Sequence, residues 1–189
     1  MKKHFKMAGS VLLVISLYAL PVKSQVKTYG IYSTISDYLN NRPSYGPDSL
    51  HSGSLYLHDF ISKPYISLKY NGNTRQIPKT EIYAFTGANG TVYRLQDNNR
   101  YEVLNKNGQL QLYRRKQQHT GKDLYTEKYD YYFSARGGNI QPLTTWNVKR
   151  AFPEHKELAD KIDINFRQDN ELCVFDTYHG MYKLEWLLQ

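Results

Sequence analysis

The stretch Tyr65-Ile66-Ser67-Leu68-Lys69-Tyr70-Asn71-Gly72-Asn73-Thr74-Arg75-Gln76-Ile77 decides the fold class. Ile66, Leu68 and Tyr70 alternate with Ser67 and Lys69, the period of a half-buried strand. Asn71-Gly72 follows, and both residue types tolerate positive φ, so the pair is a strong hairpin signal. A two-residue loop pairs Tyr70 with Asn73 and sets Ile66 opposite Ile77. That register gathers the apolar residues on one face, as a sheet with one buried face requires.

Further along, Asn107-Gly108 repeats the dipeptide. A two-residue loop there pairs Lys106 with Gln109 and places Val103 opposite Leu112. Between the two turns, Glu81 to Phe85 and Thr91 to Gln96 flank Gly87-Ala88-Asn89-Gly90. Leu124 to Ser134 reads as one long strand with Tyr129, Tyr131 and Phe133 on one side. Gly137-Gly138-Asn139 turns the chain back through Ile140 to Leu143. Closely spaced strands with short turns predict an antiparallel β meander over residues 51–143, barrel-like or two-layer.

The flanks change period, which makes the fold α+β. In the opening segment, residues 25–50, Thr34-Ile35-Ser36-Asp37 carries a capping-box signature. A short helix through Tyr38 and Leu39 follows, stopped before Pro43. In the tail, residues 144–189, Thr144 or Thr145 can cap a helix bearing Val148, Ala151 and Phe152, ended by Pro153. Leu158, Ile162 and Phe166 form one helical stripe. Asp169 is expected to cap another helix containing Leu172 and Phe175. Gly180 is expected to break it before Met181, Tyr182, Leu184, Leu187 and Leu188. The tail is expected to pack on the sheet and close an open end of it. Residues 25–189 read as a single domain.

Residues 1–24 form a signal peptide that directs export. Lys2, Lys3 and Lys6 precede the apolar run Val11 to Leu20, and Ser24 offers a small residue for cleavage before Gln25. The run is short for a bilayer span, which needs about 20 residues. The expected location is periplasmic or extracellular. Lys2, Lys3, Lys6 and Lys23 leave with the signal and no acid does. The 25 basic residues thus become 21 against 17 acidic ones, and +8 becomes +4. That charge is ordinary for a soluble domain and gives no ground for a nucleic-acid partner. Cys173 is the sole cysteine. It rules out an internal disulfide and, lying far from the apolar run, a lipid anchor at the mature N-terminus. Its apolar setting, Leu172-Cys173-Val174-Phe175, suits a buried hydrophobe.

No residue pattern announces catalysis. The sequence has no nucleophile elbow, no phosphate-binding glycine loop and no dinucleotide fingerprint. His51, His58 and His155 lack the spacing of converging metal ligands, so neither a metal nor another cofactor is called for. The densest basic run is Arg114-Arg115-Lys116, preceded by Tyr113. These four residues are the candidate binding residues, since cations beside aromatic rings suit anions and sugar faces.

Gly30-Ile31-Tyr32-Ser33-Thr34, running into Asp37-Tyr38-Leu39-Asn40-Asn41-Arg42-Pro43-Ser44, resembles the opening of small secreted proteins of Bacteroidetes. Pro142-Leu143-Thr144, Ala151-Phe152-Pro153, Asp176 and Tyr182-Lys183 are similar to their C-terminal part. That group has no assigned activity, so the resemblance implies host and location. It also implies a modification: Asp48-Ser49-Leu50 resembles the triplet those bacteria O-glycosylate, which makes Ser49 the acceptor. The function expected from all this is a non-catalytic cell-envelope module that binds glycan or protein. The rival is a hydrolase of envelope polysaccharide or peptidoglycan.

Overall fold

The computed structural model describes residues 30–45, 54–56, 63–70, 72–87, 89–117 and 127–189. Residues 1–24, read above as a signal peptide, and Ser49 lie outside them. No helix among the described residues is long and apolar enough to cross a membrane.

A seven-stranded antiparallel sheet runs β1 (Ile31–Tyr32), β5 (Ala84–Thr86), β6 (Val92–Gln96), β7 (Asn99–Val103), β8 (Leu110–Lys116), β9 (Tyr129–Ala135) and β10 (Gln141–Pro142) in spatial order. From β5 onward, neighbours in sequence are neighbours in space, which is the expected meander. The sheet stays open, because β1 and β10 are its edges. A second antiparallel sheet is made of β2 (Ser54–Tyr56), β3 (Tyr65–Tyr70) and β4 (Asn73–Pro78).

The first hairpin has the expected register, with Tyr70 opposite Asn73 and Ile66 opposite Ile77. Gly72 adopts φ +78°. The second Asn-Gly behaves differently, and the expected pairing is corrected. Val103 faces Tyr113, not Leu112, and residues 104–109 form a longer loop. Asparagine side chains replace the tight turn there. Asn105 Oδ1 accepts from Leu112 N at 2.7 Å, and its Nδ2 donates to the Leu110 carbonyl at 2.9 Å. Asn107 Oδ1 accepts from the backbone N–H of Gln109 and Leu110. A shift of one residue moves Val103 to the opposite face.

The faces of the large sheet follow from this register. On the outer face, β1, β5 and β6 pack Ile31 and Phe85 against Ile66, Leu68 and Ile77 of the small sheet. At the other end, Leu110, Leu112 and Phe133 meet the tail. The tail comprises α2 (Thr145–Ala151), α3 (Leu158–Asn165) and α4 (Lys183–Leu187). Thr144 caps α2 by accepting from Asn147 N, and Leu158, Ile162 and Phe166 are all buried as the stripe demands. The helix expected from Asp169 is a 3-10 turn over Asp169–Cys173. It is followed by a hairpin of β11 (Phe175–Asp176) and β12 (Met181–Tyr182), with Gly180 at φ +68°. Asp169 serves α2 instead, its Oδ1 accepting from Thr145 N at 2.7 Å.

The inner face is lined by Tyr101, Val103, Tyr113, Tyr132 and Ile140, with Arg94, Gln111 and Ser134 among them. Arg94 on β6 donates to the Gly137 and Gly138 carbonyls just beyond β9, at 2.9 and 2.6 Å. In a flat sheet those strands would lie about 14 Å apart. An arginine cannot span that, so the sheet is strongly coiled. Gln96 adds a second tie, exchanging hydrogen bonds with the Ile140 backbone.

One end of the coil is covered by α1 (Ile35–Leu39), with its expected capping box of Thr34 and Asp37. Ile35 abuts Gly137, Leu39 abuts Gly108, and Lys106 donates to Asn41 Oδ1 at 2.6 Å. The expectation that the tail closes an open end is therefore corrected: the tail covers the outer face, and α1 covers this end.

Candidate functional site

The far ends of β7 and β8, where Asn99-Arg100 and Arg115-Lys116-Gln117 sit, carry two adjoining concavities. One, about 740 Å³, is lined by Asn98, Asn99, Arg100, Arg115, Lys116, Gln117 and Asp130. The other, about 290 Å³, is lined by Tyr93, Arg100, Glu102, Arg114, Arg115, Lys116 and Tyr129. Arg100, Arg115 and Lys116 belong to both, so the two form one groove that wraps the strand ends.

Strand alternation decides where each candidate residue goes. Tyr113 is fully buried on the inner face, where its hydroxyl donates to Gln111 Oε1 and meets Ser134 Oγ, both at 2.8 Å. Arg114 points outward and grips Glu102 with two bonds, Nε to Oε2 at 2.9 Å and Nη2 to Oε1 at 2.6 Å. That bidentate contact holds its pKa above the ordinary arginine value, although partial desolvation opposes it. Arg115 points inward, and Lys116 points outward into an ion pair with Glu127. Hydrogen bonds from Lys116 and Tyr129 keep the Glu127 carboxyl below its usual range. The groove unites Arg114, Arg115 and Lys116 only because it crosses the sheet's rim. Tyr113 is not part of it.

The groove's guanidinium groups share one feature: each lies over a tyrosine ring. Arg100 sits 5.0 Å from the Tyr93 centroid and Arg114 4.6 Å from that of Tyr129. Arg115 lies against the Tyr101–Tyr132 pair, 5.5 and 5.3 Å from the two centroids. Rings fix the planes of these cations and leave their edges for a ligand. A basic run in sequence shows none of this, because the tyrosines come from three different strands.

The sequence also missed the β11–β12 hairpin as a surface. Phe175, Tyr178 and Trp186 are exposed, Tyr178 at 90%. His179 stacks on Trp186 with centroids 5.0 Å apart, and its Nδ1 bonds Asp176 Oδ2 at 2.6 Å. The signal was Asp176 three residues before His179, ahead of a glycine. Asp176 Oδ1 accepts from the backbone of Tyr178 and His179, an Asx turn. Cys173 is half-buried, and desolvation pushes its thiol up to about 12, so it is a poor nucleophile. Among the described residues no three histidine, cysteine or acidic groups converge as metal ligands.

This arrangement suits holding a ligand more than transforming one: fixed cations, aromatic backing, amides at the rim, and carboxylates engaged with cations or amides. No protein-family model matches the chain, and no curated protein or solved structure matches it significantly.

Proposed function

We infer that this chain is an exported, non-catalytic glycan-binding module of the cell envelope, and that the groove over β7 and β8 is its binding surface. The observation that carries this is the set of three tyrosine-backed guanidiniums around one open groove. A sugar chain presents hydroxyls and apolar ring faces together. Rigid arginines with Asn98, Asn99 and Gln117 supply hydrogen-bond partners, and tyrosines supply apolar area. Little side-chain entropy remains to be lost on binding, because the arginines are already held. The Asp176–His179 pair lies outside the groove lining, so a hydrolase would have to draw its acid and base from Glu102, Glu127 or Asp130. Each of these is engaged with a cation or an amide or, in Glu127, with a phenol as well.

The test is titration calorimetry of the purified protein against oligosaccharides released from its host's envelope. Binding without bond cleavage is expected, weakened about fivefold by Tyr129→Ala, in line with roughly 1 kcal/mol for an exposed cation–π contact. New reducing ends appearing during the titration would overturn this reading in favour of a hydrolase.

A further inference from the structure

We propose that the groove selects sugars bearing a carboxylate, and that Arg115 is the residue that reads it. The proposal rests on the glycan-binding reading and names the substrate class for the same site.

Its basis is the difference between Arg115 and the groove's other well-placed cations. Arg114 is committed to Glu102 through two bonds, and Lys116 is paired with Glu127. Arg115 has no ion pair among the described residues. Its polar contact is a long bond from Nη1 to Asn99 Oδ1, at 3.3 Å. A guanidinium carries five N–H donors in a planar fork. Most of that fork is uncommitted, yet the group is seated against Tyr101 and Tyr132, which meet edge to face at 5.0 Å and restrict its movement. A fixed planar fork on an open groove matches the planar, two-oxygen geometry of a carboxylate.

The surroundings favour a singly charged group at Arg115. Asp130 lines the same concavity, held by Gln117 Nε2 at 2.6 Å. A densely charged phosphate or sulfate chain would bring further negative charges against it. A uronic acid polymer carries one carboxylate per sugar, and its hydroxyls can use the amides of Asn98 and Gln117.

Calorimetry with a galacturonic acid hexamer, the same hexamer as its methyl ester, and a neutral hexamer of glucose decides the matter. The ester keeps the sugar and removes only the charge, so this comparison needs no variant. The acid form is expected to bind about tenfold more tightly than its ester or the neutral hexamer. Arg115→Ala should abolish that preference, and Arg115→Lys should not restore it, because a point charge lacks the fork. Equal binding of acid and ester would overturn the proposal while leaving a glycan-binding module standing. Failure of all three hexamers and of the envelope oligosaccharides would overturn both. Retention of the acid preference in Arg115→Ala would overturn the assignment to this residue.

Discussion

Two arginines face the same side of the same sheet and have opposite surroundings. Arg94 on β6 is 7% exposed and lies over Tyr83 and Tyr113. Its guanidinium makes four hydrogen bonds: to the Tyr113 hydroxyl, to Ser134 Oγ and to the carbonyls of Gly137 and Gly138. Arg115 on β8 also lies over two tyrosines, but it is half-buried and, among the described residues, makes one weak bond. Burying a cation without a carboxylate is unfavourable unless dipoles and rings replace its hydration. Around Arg94 they do, and the coil of the sheet is what those bonds hold in place. At Arg115 the same aromatic packing stops at the rim, and the unused donors face the groove. The inner face thus uses one chemistry twice, once for architecture and once at the proposed binding groove.

The comparison breaks most readily at Arg94. Arg94→Ala would take a donor from the buried Tyr113 and Ser134 hydroxyls and from the part-buried Gly137 and Gly138 carbonyls, and remove the packing of a long side chain. The expected loss is about 2–4 kcal/mol, since each buried unpaired group costs about 1–3 kcal/mol. Urea unfolding measures it, and a loss under about 1 kcal/mol would show that the coil does not depend on this residue.

The turn that supplies those carbonyls gives the next largest effect. Gly137 sits at φ +71°, and a Cβ added there would come within 2.5 Å of Ile35 Cδ1. Gly137→Ala should therefore lower stability by roughly 2 kcal/mol, combining left-handed strain with overpacking against α1. A thermal melt unchanged from the parent would contradict both the turn and the seat of α1.

The smallest effect is expected at Arg115. Arg115→Ala should cost no more than about 1 kcal/mol, since it loses only ring contacts at the rim and one long hydrogen bond. A loss as large as that of Arg94→Ala would make Arg115 a second architectural tie and remove the basis for assigning it to recognition.

Much of the architecture was legible because it rests on local signals. Ile66 and Ile77 meet as their alternation and the Asn71-Gly72 pair require. Thr34 and Thr144 cap the helices that follow them. Asn107-Gly108 shows where locality fails. Gly108 does not adopt positive φ, and the asparagine side chains of the loop bond strand backbone instead, which a dipeptide signal does not register. The hairpin at 175–182 was hidden by a run of residues compatible with a helix. At the groove, alternation alone separates Arg114 from Arg115, so that division was available in the sequence. Arg94 was not: nothing in Thr91–Gln96 singles it out. Only the coiling of the sheet, a long-range result, brings Gly137 and Gly138 to it.

The distribution of aromatic residues has a practical consequence for watching this protein unfold. Both tryptophans, Trp146 on α2 and Trp186 on α4, lie in the tail and are partly or largely exposed, whereas most tyrosines lie on or against the two sheets. Tryptophan emission therefore reports on the helical layer and tyrosine absorbance chiefly on the β layers, so one molecule carries two separate optical reporters. Coincident transitions from two such probes are a standard sign of all-or-none unfolding. Leu110, Leu112 and Phe133 share a core with Val148, Phe152 and Ile162, and that shared core couples the signals. The native chain can thus report, without labels, whether helices and sheet come apart together.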